Sequence, residues 1–347
     1  MLDAEAVASC CDPCAGTNTA VRIARRRLLK AAVFRPDEAA GGSSGQRDLY
    51  PRAGFPAPGE LPRIVMGQIL DVSPHVLVIS HGTSPLRLSL TADATAWRGG
   101  PVDPAALLLD DVAVVRLDRS RRDVADRIWS NIGRVTGTIV ERQASGLTVD
   151  VGPKRERQAV VIPSRAASRI EVRYPNMEPG YLIDVIGLRR EGYLEALVPA
   201  TPQPAYPVSR LPEPPLVSGH VPDSISGSAT WREPDQEPYG VLGVAYPALD
   251  PDSGGHADPD HLTAPGFVRM PYLSVGSLLR IRNECTGSTC VLPVTGCAPI
   301  ARLFNDRCLT CGTSPRGRIA ELSLASFVAL GGELERGCFN ATIAIGD

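Results

Sequence analysis

From residue 63 onward the chain alternates short apolar runs with turn-forming residues. IVMGQILDV, VLVIS, LRLSL and VAVVRL are each short and rich in β-branched side chains, the pattern of half-buried strands rather than amphipathic helices. The same order returns as GRVTGTIVE, GLTVDV, QAVVIP and LIDVIGL. Placing Gly67-Gln68-Ile69 on Gly137-Thr138-Ile139 sets an offset of 70 residues, and Leu77-Val78-Ile79 then falls on Leu147-Thr148-Val149. The same comparison brings Asp111-Val112-Ala113-Val114 close to Asp184-Val185-Ile186-Gly187. A strand pattern repeated in order at one spacing predicts a duplicated five-stranded unit. Further strands are expected in GSATW, YGVLGVAYP, SVGSLLRIRN, TCVLPVTG and CFNATIAI. In the last third only residues 322–330 carry helical spacing, with Ser323 placed to cap the start and Gly331-Gly332 to stop it.

These patterns divide the chain. Residues 1–60 form a tail and linker, with a basic helix expected near 20–34. Residues 61–128 and 129–198 are the two repeats, and each looks like an OB-type barrel. Residues 199–224 hold eight prolines in 26 positions and are expected to be an extended, semi-rigid spacer. Residues 225–347 form a third β-rich domain.

Composition narrows the function. The formal net charge is −2, and the arginines form no stripe, so nothing favours nucleic acid or an anionic membrane. Stacking on single strands needs exposed aromatics beside a basic groove, and the repeats hold few aromatics, Trp97, Tyr174 and Tyr181 among them. The barrels are therefore read as spacers or assembly modules, with no nucleic-acid partner. No stretch of 18 apolar residues exists, so no transmembrane helix is expected. Arg25-Arg26-x-Leu28-Leu29-Lys30 resembles a twin-arginine export motif, followed by only a short apolar run.

The nine cysteines fall in two clusters. Cys10, Cys11 and Cys14 lie in the tail, where an odd count points to an intermolecular bridge or a free thiol. Cys285, Cys290, Cys297, Cys308, Cys311 and Cys338 all lie near the C-terminus, which favours disulfides and an extracellular or cell-envelope location. Zinc needs four ligands. Within the C-terminal cluster only Cys308 and Cys311 have knuckle spacing, and no histidine follows His261, so neither a metal nor another cofactor is expected.

Residues 226–347 resemble the double-psi β-barrel of the rare lipoprotein A and expansin-like superfamily. The resemblance is carried by Gly227-Ser228-Ala229-Thr230-Trp231, by Val275-Gly276-Ser277-Leu278-Leu279-Arg280-Ile281-Arg282-Asn283, by Asn305-Asp306-Arg307-Cys308-Leu309-Thr310-Cys311, and by Glu321-Leu322-Ser323. It implies a disulfide-stapled double-psi barrel for these residues, and with the two repeats the expected fold is an all-β protein in which tandem small five-stranded barrels precede it. In the wall-cleaving members an aspartate works with a histidine. Asp306 matches that aspartate, but Pro265 and Gly266 follow Leu262-Thr263-Ala264 where the histidine belongs. Glu321 is the candidate second carboxyl for glycan cleavage. The alternative for Asp306 is structural, as a partner of Arg307 or Arg318. Trp231, Tyr272 and Arg307 are the candidate ligand-binding residues. The expected function is binding of cell-wall polysaccharide or peptidoglycan without strong catalysis. The alternatives are a self-assembling structural subunit of an extracellular filament or surface assembly and a lytic, transglycosylase-like enzyme.

Overall fold

A computed structural model describes residues 64–118, 120–144, 146–152, 155–210, 224–233, 241–249, 267–268, 270–308 and 315–344. The expected helix near 20–34, the tail cysteines, His261, the segment 262–266 and Cys311 lie outside these residues. The protein is all-β and contains several small closed barrels.

The first barrel is built from β1 (Ile64–Ser73), β2 (Val76–His81), β3 (Ser84–Trp97), the short β4 (Pro101–Val102), β5 (Val112–Leu117) and β6 (Val124–Ser130). Its order is β2-β1-β5-β6-β3, with β3 returning to β2 to close the ring and β4 flanking β3. The second contains β7 (Ile132–Gln143), β8 (Gly146–Asp150), β9 (Gln158–Val161), helix α1 (Ser164–Arg173), β10 (Leu182–Arg190) and β11 (Tyr193–Pro199). It closes as β10-β11-β9-β8-β7. Both barrels pair their third strand in parallel with their last, β3 with β6 and β9 with β11.

The two barrels keep the same register 70 residues apart. Met66 pairs with Val114 and Thr136 with Asp184. Ile69 N donates to Asp111 O at 2.8 Å, and Ile139 N donates to Tyr181 O at 2.8 Å. Each first strand breaks register at a bulge, one between Ile69 and Asp71 and the other between Ile139 and Glu141. Asp111 therefore corresponds to Tyr181, and the counterpart of Asp184 is Val114, which corrects the sequence comparison. Gly67 and Gly137 mark the same crossing. A Cβ on Gly67 would stand 1.8 Å from Ser80 O, and one on Gly137 would stand 2.0 Å from Asp150 O. Both contacts are with backbone, which cannot rotate away. Gly137→Ala is expected to destabilise the chain by about 3 kcal/mol, at the high end for overpacking. Urea unfolding checks this, and a loss below about 1 kcal/mol would contradict the close approach.

The third barrel uses β12 (Ser224–Trp231), β13 (Val244–Tyr246), β14 (Leu278–Asn283), β15 (Thr289–Cys297), β16 (Asn305–Asp306), β17 (Arg316–Leu322) and β18 (Cys338–Ala344). Six of them close as β12-β18-β14-β15-β13-β17, with β17 parallel to β12, and β16 extends the sheet beyond β17. Helix α2 (Leu324–Ala329) follows β17, and the Ser323 hydroxyl accepts from Ser326 N at 3.2 Å as its cap.

The third barrel is not held away from the others. One apolar core runs through Trp97 and Trp129 of the first barrel, Val135, Ile170 and Val185 of the second, and Trp231, Leu322 and Phe339 of the third. Much of the proline-rich segment also packs rather than spans. Residues 201–210 lie along the second barrel, where Gln203 Nε2 donates to Asn176 O at 2.8 Å and Leu182 O at 2.9 Å. The remainder of that segment, 211–223, lies outside the described residues.

Candidate functional site

Asp306 sits on β16, beside β17, at the junction of the second and third barrels. It is fully buried. Arg318 on β17 grips it bidentately, Nε to Oδ2 at 2.8 Å and Nη2 to Oδ1 at 3.1 Å. The Ser228 hydroxyl donates to Oδ2 at 2.7 Å. Such charge-assisted, two-point pairing is among the stronger polar contacts available to a buried carboxylate.

The same guanidinium reaches into the second barrel. Arg318 Nη2 lies 2.6 Å from Asp184 Oδ2. Asp184, also fully buried, is held from its other side by Arg134, with Nε to Oδ1 at 2.8 Å and Nη2 to Oδ2 at 2.6 Å. The Thr136 and Thr201 hydroxyls donate to it at 2.9 and 3.0 Å. Tyr174, buried, donates to the carbonyls of Asp184 and Thr201. Arg134 then crosses into the third barrel, donating to Trp231 O at 3.0 Å and Gly337 O at 2.7 Å. The result is a buried chain of alternating charge, Arg134–Asp184–Arg318–Asp306. The Arg318 guanidinium also lies 4.0 Å from the Phe304 ring centroid, a favourable cation–π contact.

Burial alone would push the Asp184 carboxyl upward. The Arg134 and Arg318 charges outweigh it and hold that acid well below the usual carboxylate range. Arg318 is correspondingly raised, burial opposing and Asp306 and Asp184 prevailing.

A short loop completes the junction. Glu333, which caps the 3-10 turn Leu334–Arg336, and Glu335 within that turn bind the first barrel. Arg116 Nη1 reaches Glu333 Oε1 at 3.0 Å, Arg127 pairs with Glu335, and Trp129 Nε1 donates to Glu335 Oε2 at 2.6 Å. Gly337 ends the loop at φ +77, where a Cβ would stand 2.8 Å from Ala200 Cβ of the second barrel. All three barrels therefore meet at residues 333–337.

The sequence-derived candidates divide sharply. Asp306 and Glu321 do converge, but on Arg318, whose Nη1 lies 3.3 Å from Glu321 Oε1. Trp231 is buried; its Nε1 donates to Leu334 O at 2.8 Å, and Arg134 covers its ring at 5.5 Å. It has no face for a sugar. Tyr272 is buried as well, and only Arg307 is exposed. Trp97 and Tyr174 lie in the core, so neither can stack on a base.

Cys290, Cys308 and Cys338 carry no disulfide, which corrects the expectation of a fully stapled barrel. Each is buried and packs as a small apolar side chain. Cys285 Sγ approaches Cys308 Sγ to 3.4 Å, and Cys297 is half-buried. Burial pushes the Cys290 thiol up to about 11. Burial, then the neighbouring Asp306 charge, raises Cys338 as well. Neither is a reactive thiolate at neutral pH. Among the described residues no cluster of three or more His, Cys, Asp or Glu gathers to hold a metal ion. Among them, too, no helix is long and apolar enough to cross a membrane.

Arg134 and Asp184 were not apparent as site residues. The 70-residue register offers a signal for them, since their first-barrel counterparts are Ile64 and Val114. No protein-family model matches the chain, and no curated protein matches it.

Proposed function

We propose that this chain is a non-catalytic structural subunit of the cell envelope or of an extracellular assembly. In this reading two OB-type barrels and a double-psi barrel act as one rigid body. The burial of Asp306, with both oxygens engaged by Arg318 and Ser228, carries the proposal. Glycan cleavage needs a carboxyl that can reach the leaving oxygen, and this one has no exposed surface. A core shared by three barrels suits a subunit that presents its surfaces at fixed geometry, because a large apolar interface opposes domain motion. The envelope location rests on the run Arg25-Arg26-x-Leu28-Leu29-Lys30.

Binding of cell-wall polysaccharide is a second reading. It is favoured by Arg307, which is exposed next to the buried Asp306. The two readings and the enzymatic one separate in one set of experiments on the purified full chain. The structural reading expects an assembly larger than a monomer in size-exclusion chromatography without reductant. It also expects no soluble glycan from peptidoglycan sacculi, whether from wild type, Asp306→Asn or Glu321→Gln. Product released by wild type and lost in either variant would overturn it. A monomer with and without reductant that is retained on sacculi would favour the binding reading instead.

A further inference from the structure

Asn305 and Arg307 flank the buried Asp306 in sequence, and the alternation of an extended chain sends their side chains to the opposite face. Arg307 is exposed and Asn305 half-buried. Among the described residues neither side chain makes a hydrogen bond or ion pair, and neither does the Tyr206 hydroxyl.

An aromatic pair lies beside them. Asn305 pairs with Gly317 across β16 and β17, and directly opposed residues carry their side chains on one face about 5 Å apart. Gly317 has no side chain, and residues 267–268 take its place. A Cβ there would stand 2.8 Å from Phe267 Cβ and 2.6 Å from Val268 Cγ2, so Phe267 lies next to Asn305. Tyr206 stacks on Phe267, with ring centroids 6.2 Å apart and 25° between the planes. Tyr206 belongs to the segment that runs along the second barrel, held there as Val208 N donates to Gly180 O at 2.8 Å. Both rings are half-buried and keep part of their surface in solvent. One ring thus comes from the second barrel, and a ring, an amide and a guanidinium come from the third.

We infer that Tyr206, Phe267, Asn305 and Arg307 form a composite binding site for a carboxylate-bearing polysaccharide. The inference rests on the polysaccharide-binding reading and gives that reading a site. The C–H face of a pyranose ring is apolar and packs on aromatic rings, while a few convergent polar groups fix its orientation. The unpartnered amide and phenol supply donors and acceptors for sugar hydroxyls. A guanidinium takes a carboxylate through two parallel hydrogen bonds. Nucleic acid fits less well, because single-strand stacking sites line a basic groove. Here Arg316, the cation on the neighbouring strand, is already paired with Glu284 at 2.7 Å.

Pull-down of the purified full chain on peptidoglycan sacculi tests this, run in parallel on sacculi whose carboxylates have been amidated. Wild type is expected to be retained on untreated sacculi. Arg307→Gln and Tyr206→Ala are each expected to weaken retention by about tenfold or more, the loss typical of an anchor side chain. Amidation should weaken wild type by a similar factor and leave Arg307→Gln unchanged. The Arg307 side chain makes no bond among the described residues, so Arg307→Gln should unfold in urea at the wild-type midpoint. Equal retention of wild type and both variants would overturn the site and leave the polysaccharide reading standing on another surface. A wild type that is not retained would overturn both. A loss in Arg307→Gln alone would overturn the composite site, because Tyr206 would then not touch the sugar. Retention that amidation leaves unchanged would overturn the carboxylate.

Discussion

Arg318→Met is expected to destabilise the full chain by about 3–5 kcal/mol, the range for removing one partner from a buried ion pair. The methionine fills much of the same space, so the loss is mainly electrostatic. Asp306 would keep only the Ser228 hydroxyl, and Asp184 would keep Arg134 and its two threonines but lose its contact with the third barrel. Adding Asp306→Asn to Arg318→Met should restore part of the loss, because the stranded charge is then gone. Urea unfolding measures both. A loss below about 1 kcal/mol for Arg318→Met would mean that the cation does not join the barrels.

Acid should weaken the fold through Asp184. Its folded carboxyl is held well below the ordinary range by Arg134 and Arg318 against the opposing effect of burial. The unfolded aspartate takes up a proton near pH 4. A depressed folded value contributes stability that is fully present above the unfolded value and is lost as pH falls toward the folded one. Stability should therefore decline below about pH 4, with this group contributing about 1.4 kcal/mol per pH unit. Asp184→Asn should be less stable at neutral pH, and its acid limb should be shallower by about that slope. Parallel acid limbs for wild type and the variant would contradict the assignment.

The strands were legible because alternation and β-branched runs report a half-buried sheet directly, and the glycines at 67 and 137 fixed the repeat. Helix α1 was not legible. Its buried side chains are only Ala166 and Ile170, in a decamer whose other residues are mostly serine, arginine and glutamate, too thin an apolar stripe for a periodic signal. The cysteine spacing suggested bridges, yet spacing does not distinguish a stapled thiol from one packed in a core, as Cys290 and Cys338 are. The proline-rich segment read as a spacer because composition reports stiffness; contacts such as those of Gln203 decide where a stiff segment lies.

The charge chain was hidden for a different reason. Arg134 and Asp184 stand inside runs that read as ordinary strands. Matching Asp111 to Asp184 by residue type also displaced the true counterpart, Val114. The correct register shows two charged residues where the first barrel has isoleucine and valine. Asp306 was visible from the start, and Arg318 was among its proposed partners. What sequence could not supply was that Arg318 also reaches Asp184, since that contact joins strands 134 residues apart.

The most direct test is a double-mutant cycle between Asp184→Asn and Asp306→Asn, read by urea unfolding of the full chain. The two carboxylates belong to different barrels and share one guanidinium. Their effects should be non-additive by about 1 kcal/mol or more, within the range for residues in one ion-pair network. Additivity within about 0.5 kcal/mol would show that Asp306 and Asp184 act independently, and that the junction through Arg318 does not hold the barrels together.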